Sequence, residues 1–253
     1  MPKPPLRIAI LECDTPLPKT KEIYGGYGGV FENLLKRGAQ ALDDPSLNPE
    51  AGFQVTKYQV VDDPSNYPSL DDIDAILITG SKHDSFADNP WTNTLVAFVE
   101  KVLADGRVRT IGVCYGHQIV ARALGMKVGR NDDGWEAAVT NVELSAKGKE
   151  LFGKDTLAIH QMHRDIAYTY PKSVQLLGSS PVCSVQGMYE PRRLITVQGH
   201  PEFNHEIMTE ILDTRHSTGI FNDEAYDKYI KSAGLPHDGV AVAAAFLRFL
   251  LED

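Results

Sequence analysis

Cys114 lies in the run Gly112-Val113-Cys114-Tyr115-Gly116-His117-Gln118, with a glycine two residues before it and another two after. The run follows Arg109–Val113, which reads as a buried strand, and it opens a helix. A nucleophile on such a strand-to-helix turn needs small neighbours at these two positions, because the chain folds back on itself there. The N–H groups and dipole at the start of the helix favour thiolate and can also hold an oxyanion. A thiolate nucleophile requires a base, and the base requires an orienting group. A second strand-like run, Leu194–Val197, ends in Gln198-Gly199-His200-Pro201-Glu202-Phe203. Imidazole and carboxylate two residues apart across a rigid proline can lie on one side of the chain. Alone, the cysteine reads as a core thiol and the His-Pro-Glu run as a surface turn. Placed together at strand ends of one sheet, Cys114, His200 and Glu202 read as the three groups of an acyl-transfer site.

Those strand ends belong to a regular alternation. Leu6–Glu12 and Arg109–Val113 read as strands, Phe53–Val61 alternates apolar residues as a second strand, and Asp74–Ile78 is fully apolar after its first residue. Gly29–Leu42, Pro90–Ala104 and Gln118–Leu124 show helical spacing between or after them, and a loop rich in proline and glycine is expected after Glu12. Alternation of this kind predicts an α/β fold with a mainly parallel central sheet and helices on both faces. In such sheets functional groups collect at the carboxyl ends of the strands. The section from about Val139 to Val197 is richer in strand signals, and helices return at Glu206–Thr214, Glu224–Lys231 and Val240–Leu251. With no repeat and no linker-like change of composition, residues 1–253 read as a single domain.

Composition narrows the partners. A net charge of −9 without a clustered basic face argues against nucleic acid. Three scattered cysteines are too few for a disulfide framework or a thiolate zinc site. There is no apolar signal segment at the start and no run of ~20 apolar residues to span a membrane, so a cytoplasmic protein is expected. His160 and His163 form an HxxH pair without a third ligand, so no metal is assigned. Gly25–Gly29 lacks the spacing and the preceding strand of a dinucleotide loop, so no cofactor is assigned.

The pair GVCYGHQ and QGHPEF resembles the signature of class I glutamine amidotransferases. That resemblance implies their flavodoxin-like fold, a γ-glutamyl thioester on Cys114, His200 as base and acid, and Glu202 as its orienting group. It further implies an oxyanion hole from the N–H of Gly80 or Ser81 with that of Tyr115, and Gln118 on the amino-acid end of the substrate. Tyr24-Gly25-Gly26-Tyr27, Gly80–Phe86, GVCYGHQIVAR and QGHPEFN are together similar to the stand-alone γ-glutamyl peptidases. Tyr24, Gly26, Lys82, His83 and His163 are accordingly expected near the substrate, with Lys82 and His83 placed to meet a peptide carboxylate. The favoured reading is a hydrolase of γ-glutamyl amide bonds in a small-molecule substrate. A glutaminase subunit feeding ammonia to a partner protein, and a silent binding module, are the alternatives. Packing of the apolar tail helix on the sheet is expected, with a homodimer contact as its alternative.

Overall fold

The computed structural model describes residues 3–253. Its centre is a nine-stranded sheet. Strands β1 (Leu6–Glu12), β2 (Phe53–Gln59), β3 (Ala75–Ile78) and β4 (Arg109–Val113) alternate with helices. Helices α1 (Pro18–Tyr24) and α2 (Tyr27–Leu42) follow β1, α3 (Pro90–Asp105) follows β3, and α4 (Tyr115–Ala123) follows β4. The middle of the chain supplies β5 (Val128–Arg130), β6 (Glu136–Leu144), α5 (Ala146–Phe152), β7 (Thr156–His163), β8 (Asp165–Ala167), β9 (Gln175–Ser179), β10 (Gly187–Glu190) and β11 (Leu194–Val197). Helices α6 (His205–Ser217), α7 (Asp223–Ala233) and α8 (Gly239–Leu250) close the chain. The strand order is β2-β1-β3-β4-β11-β10-β9-β6-β7.

From β2 to β11 the neighbours run parallel. Their residues alternate between two cores, as the pleat requires. Leu6, Ile8 and Ile10 meet Phe31, Leu34 and Leu35 of α2 and Phe246 and Phe249 of α8 on one face. Ala9, Leu11, Ile76 and Ile78 meet Leu95 and Val99 of α3 and Ile119 and Val120 of α4 on the other. A sheet covered on both faces needs apolar residues at every position, which is why the central strand β3 reads as an unbroken apolar run, while the edge strand β2 keeps polar residues. The tail helix α8 packs into the first core. It approaches α2 so closely that a Cβ on Gly38 would lie 2.7 Å from the Ala243 methyl.

Beyond β11 the sheet turns antiparallel through β10, β9, β6 and β7. These strands lie in the section rich in strand signals, and β6 pairs with β7 across helix α5, from Glu136↔His163 to Glu143↔Thr156. Two differences from expectation bear on the site. Helix α4 starts at Tyr115, directly after the cysteine. The loop expected after β1 contains helix α1, which opens with Pro18 and ends at Gly25 with φ 77°. Its free N–H groups are capped from far away. Glu210 of α6 accepts from the backbone N–H of Lys19 (2.8 Å) and Thr20 (3.0 Å) and from the Thr20 hydroxyl (2.6 Å). That carboxylate supplies what no neighbouring residue in sequence does.

Candidate active site

Cys114 bridges β4 and α4 with φ 53° and ψ −104°. A non-glycine residue held at positive φ is strained, and the surrounding structure must over-determine it. Here the strain is set by packing. A Cβ on Gly112 would lie 2.8 Å from the Gly116 carbonyl oxygen, and one on Gly116 would lie 2.3 Å from that of Ile78. Both neighbours must therefore lack a side chain for α4 to sit this close to β3. The Cys114 N–H donates to Val197 O (2.9 Å), which ties the turn to the end of β11. His200 emerges from that same strand end.

The His200 backbone N–H donates to His160 O of β7 (2.7 Å), and its Nδ1 lies 2.7 Å from Glu202 Oε1. Its ring stacks flat on Phe203, with centroids 4.0 Å apart and planes 5° apart. Cys114, His200 and Glu202 are all buried. Burial alone disfavours the protonated imidazole, but the charges of Cys114 and then Glu202 outweigh it and push the His200 pKa up to about 10. The backbone of Gly80 abuts both partners. A Cβ there would lie 2.6 Å from His200 Cε1 and 3.7 Å from the Cys114 Cβ. The loop is anchored by Thr79, whose hydroxyl accepts from Cys13 N–H (2.9 Å) and donates to Gly80 O (3.0 Å).

Two cavities flank this centre. One, of about 590 Å³, is bordered by Cys114, Tyr115, Gln118, Arg130, His163 and Asp165. It is polar and tightly wired. Gln118 Nε2 donates to Asp165 O (2.7 Å) and Gln198 Oε1 (3.1 Å), and Gln198 Nε2 in turn lies 3.6 Å from the Cys114 sulfur. Arg130 joins the carboxylates of Asp84 and Asp165, each at 2.6 Å. His163 Nε2 lies 3.0 Å from Glu136. The other cavity, of about 330 Å³, is bordered by Gly80, Ser81 and His200 and by the apolar side chains of Leu17, Tyr27, Met162, Phe203 and Ile211. Arg215 of α6 borders both. Its guanidinium lies 4.5 Å over the Trp135 ring, its buried Nε has no hydrogen-bond partner, and burial lowers its pKa.

Of the residues expected at the substrate, Gly80, Ser81, Tyr115, Gln118, Lys82, His83 and His163 border one cavity or both. Lys82 does so with its charge already met. Its Nζ lies 2.8 Å from Asp14 Oδ1 and its N–H donates to Asp14 Oδ2 (2.8 Å), so it is a rim ion pair rather than a free cation. His83 turns its ring edge to Trp91, at 5.3 Å. Tyr24 and Gly26 border neither cavity. Tyr24 faces α6, where its hydroxyl accepts from Asn204 Nδ2 (3.3 Å), and Gly26 packs against Glu12 at the start of α2. The expected loop is present, but Tyr27 carries it into the site. His160 and His163 fall on opposite faces of β7, since they are three residues apart in a strand. Among the described residues, no three His, Cys, Asp or Glu side chains gather as a metal-binding group. No described helix is long and apolar enough to cross a membrane. Gln198 and Arg215 were not singled out from sequence. Gln198 lies inside the His-Pro-Glu run, whereas nothing near Arg215 marks it.

The model of the glutamine amidotransferase class-I family matches residues 48–216, a stretch that contains Cys114, His200 and Glu202. The chain belongs to the class I glutamine amidotransferase family. Among its relatives is a glutamine amidotransferase-like protein of Schizosaccharomyces pombe, 36% identical over 97% of this chain and 98% of that one. Gamma-glutamyl peptidase 3 of Arabidopsis thaliana is 31% identical over 85% of this chain and 84% of its own. The fold is shared with a glutamine amidotransferase of Thermotoga maritima, with a TM-score of 0.73, 16% identity and coverage of 97% and 98% of the two chains. Within this family the chain is a hydrolase- or amidotransferase-like protein.

Proposed function

We propose that this amidotransferase-family chain is a cysteine hydrolase that cleaves the γ-glutamyl amide bond of small peptides. The polar cavity beside Cys114 receives the γ-glutamyl group, whose amino-acid end meets Gln118 and the Arg130–Asp165 pair. The Cys114 thiolate attacks the γ-carbonyl carbon. The N–H groups of Gly80 or Ser81 and of Tyr115 hold the oxyanion that forms, where preorganised donors act most strongly. His200, kept protonated and oriented by Glu202, gives its proton to the leaving amine. Water, deprotonated by His200, then releases glutamate from the thioester.

The observation that carries this reading is the second cavity. Its volume of about 330 Å³ on the His200 side far exceeds what ammonia needs. It offers apolar walls and, in Arg215, a cation without a carboxylate partner among the described residues. A leaving group with a side chain and a terminal carboxylate fits that lining. The test is a release assay with glutamine, glutathione and γ-glutamyl dipeptides, with Cys114→Ala as the inactive control. Peptides should be cleaved with the higher kcat/KM. Better hydrolysis of glutamine, stimulated by another protein, would favour a glutaminase subunit. Turnover by the alanine variant would remove Cys114 from the mechanism.

A further inference from the structure

Once the leaving peptide has gone, the apolar cavity is larger than the water step that follows requires. A hydrolytic water needs about 30 Å³, against a volume of about 330 Å³ in the cavity bordered by His200, which adjoins the γ-glutamyl pocket along Ser81, Met162 and Arg215. Its apolar walls, Leu17, Tyr27, Met162, Phe203 and Ile211, favour an apolar side chain, and polar side chains including Asp14, Thr15, Thr214 and Thr218 also line it. A cavity that presents a leaving amine to His200 for protonation presents an incoming amine to the same imidazole for deprotonation, by microscopic reversibility.

Resting on the hydrolase reading above, we propose that this cavity also admits an acceptor, so that the γ-glutamyl group on Cys114 passes to the α-amino group of an apolar dipeptide as well as to water. The amine nitrogen pair attacks the thioester carbonyl, and its carbon–nitrogen bond forms as the carbon–sulfur bond breaks. The electron pair of that broken bond leaves on the Cys114 sulfur. The ammonium proton goes to His200, which restores the starting charge pair. No oxidant, reductant or further reactant is needed.

The acceptor class follows from two features. Attack requires a neutral amine. A peptide α-amino group, with a pKa of about 7.7–8.0, supplies one far more readily near neutrality than a lysine side chain at about 10.4. Arg215 borders the cavity with its guanidinium over the Trp135 ring and no ion pair to a described carboxylate, so it matches a carboxylate at the acceptor's far end. Binding the acceptor in the cavity gives its amine the high effective concentration it needs to compete with water.

The experiment uses γ-glutamyl-4-nitroanilide as donor, whose leaving group has no carboxylate, and leucylglycine as acceptor. Nitroaniline, glutamate and γ-glutamyl-leucylglycine are quantified together, and a parallel arm uses glutathione as donor with cysteinylglycine counted. The transfer product should rise saturably with leucylglycine. The ratio of transfer to hydrolysis should fall at least tenfold in Arg215→Gln, recover in part in Arg215→Lys, and fall also with leucylglycinamide as acceptor. Because it is a ratio within each variant, loss of folded protein does not alter it. Glutamate equal to the released amine at every acceptor concentration overturns the inference and leaves the hydrolase reading standing. A transfer product that never saturates and ignores Arg215 overturns it too. Absence of cleavage of either donor removes both.

Discussion

Replacing Gly80 by alanine tests whether the site's spacing is set by backbone approach. Gly80 does not occupy the positive-φ region, so alanine adds no backbone strain there. Its Cβ would lie 2.6 Å from His200 Cε1, short of ordinary contact at 3.4 Å by about 0.8 Å. The imidazole cannot simply retreat. Phe203 is stacked on one face, Glu202 holds Nδ1, and the His200 N–H is bonded to β7. The strain is therefore taken up by moving imidazole and loop apart, away from both Cys114 and the proposed oxyanion site. A misplacement near 1 Å costs on the order of 10²-fold in rate. Gly80→Ala should accordingly lower kcat about a hundredfold with little change in the urea midpoint. Gly116→Ala is the contrast, since its Cβ would meet the Ile78 backbone oxygen at 2.3 Å and backbone cannot yield. That variant should lose about 1–3 kcal/mol of stability, as overpacking does. Steady-state kinetics beside urea titration read both. Wild-type kcat in folded Gly80→Ala would refute the reasoning.

Further outcomes follow from the same geometry. His200→Ala should cost about 10²–10⁴ in kcat/KM, and Glu202→Gln less, because glutamine keeps a hydrogen-bond acceptor and loses only the charge. Equal losses would contradict an orienting role for Glu202. Arg215→Gln should lower kcat/KM for γ-glutamyl peptides by about one to two powers of ten, the value of a charge-assisted hydrogen bond of about 1.5–3 kcal/mol, and lower it less for the nitroanilide. Lys82→Ala should change the peptide-to-anilide ratio far less, since the Lys82 charge is already taken by Asp14; the reverse order would restore Lys82 as the carboxylate contact. Burial, aided by the charge of His163, lowers the pKa of His117 to about 3. The unfolded chain therefore takes up a proton that the fold does not between roughly pH 6.5 and 3, and stability falls with pH across that window. Each group of this kind contributes about 1.4 kcal/mol per pH unit. In His117→Gln the slope of unfolding free energy against pH should flatten by that amount, and an unchanged slope would count against the buried neutral ring.

The parts of this protein legible in sequence are those written in short windows. Gly112 and Gly116 mark the turn around Cys114 because a close backbone approach leaves no room for a side chain. His-Pro-Glu after Leu194–Val197 places imidazole and carboxylate two residues apart, and the unbroken apolar run of β3 announces a sheet covered on both faces. From those windows the α/β architecture and the three central groups could be written down with their numbers. What joins residues distant in sequence was not legible. Helix α1 depends on Glu210, 190 residues beyond Thr20. The charge of Lys82 is taken by Asp14, 68 residues before it. Tyr27 rather than Tyr24 enters the site because α2 begins where it does. Arg215 has no local signature, for a lone arginine on an amphipathic helix normally faces water. Only the docking of α6 against the ends of the strands turns it toward the cavities, and that docking is a property of the packed core, not of any stretch of chain.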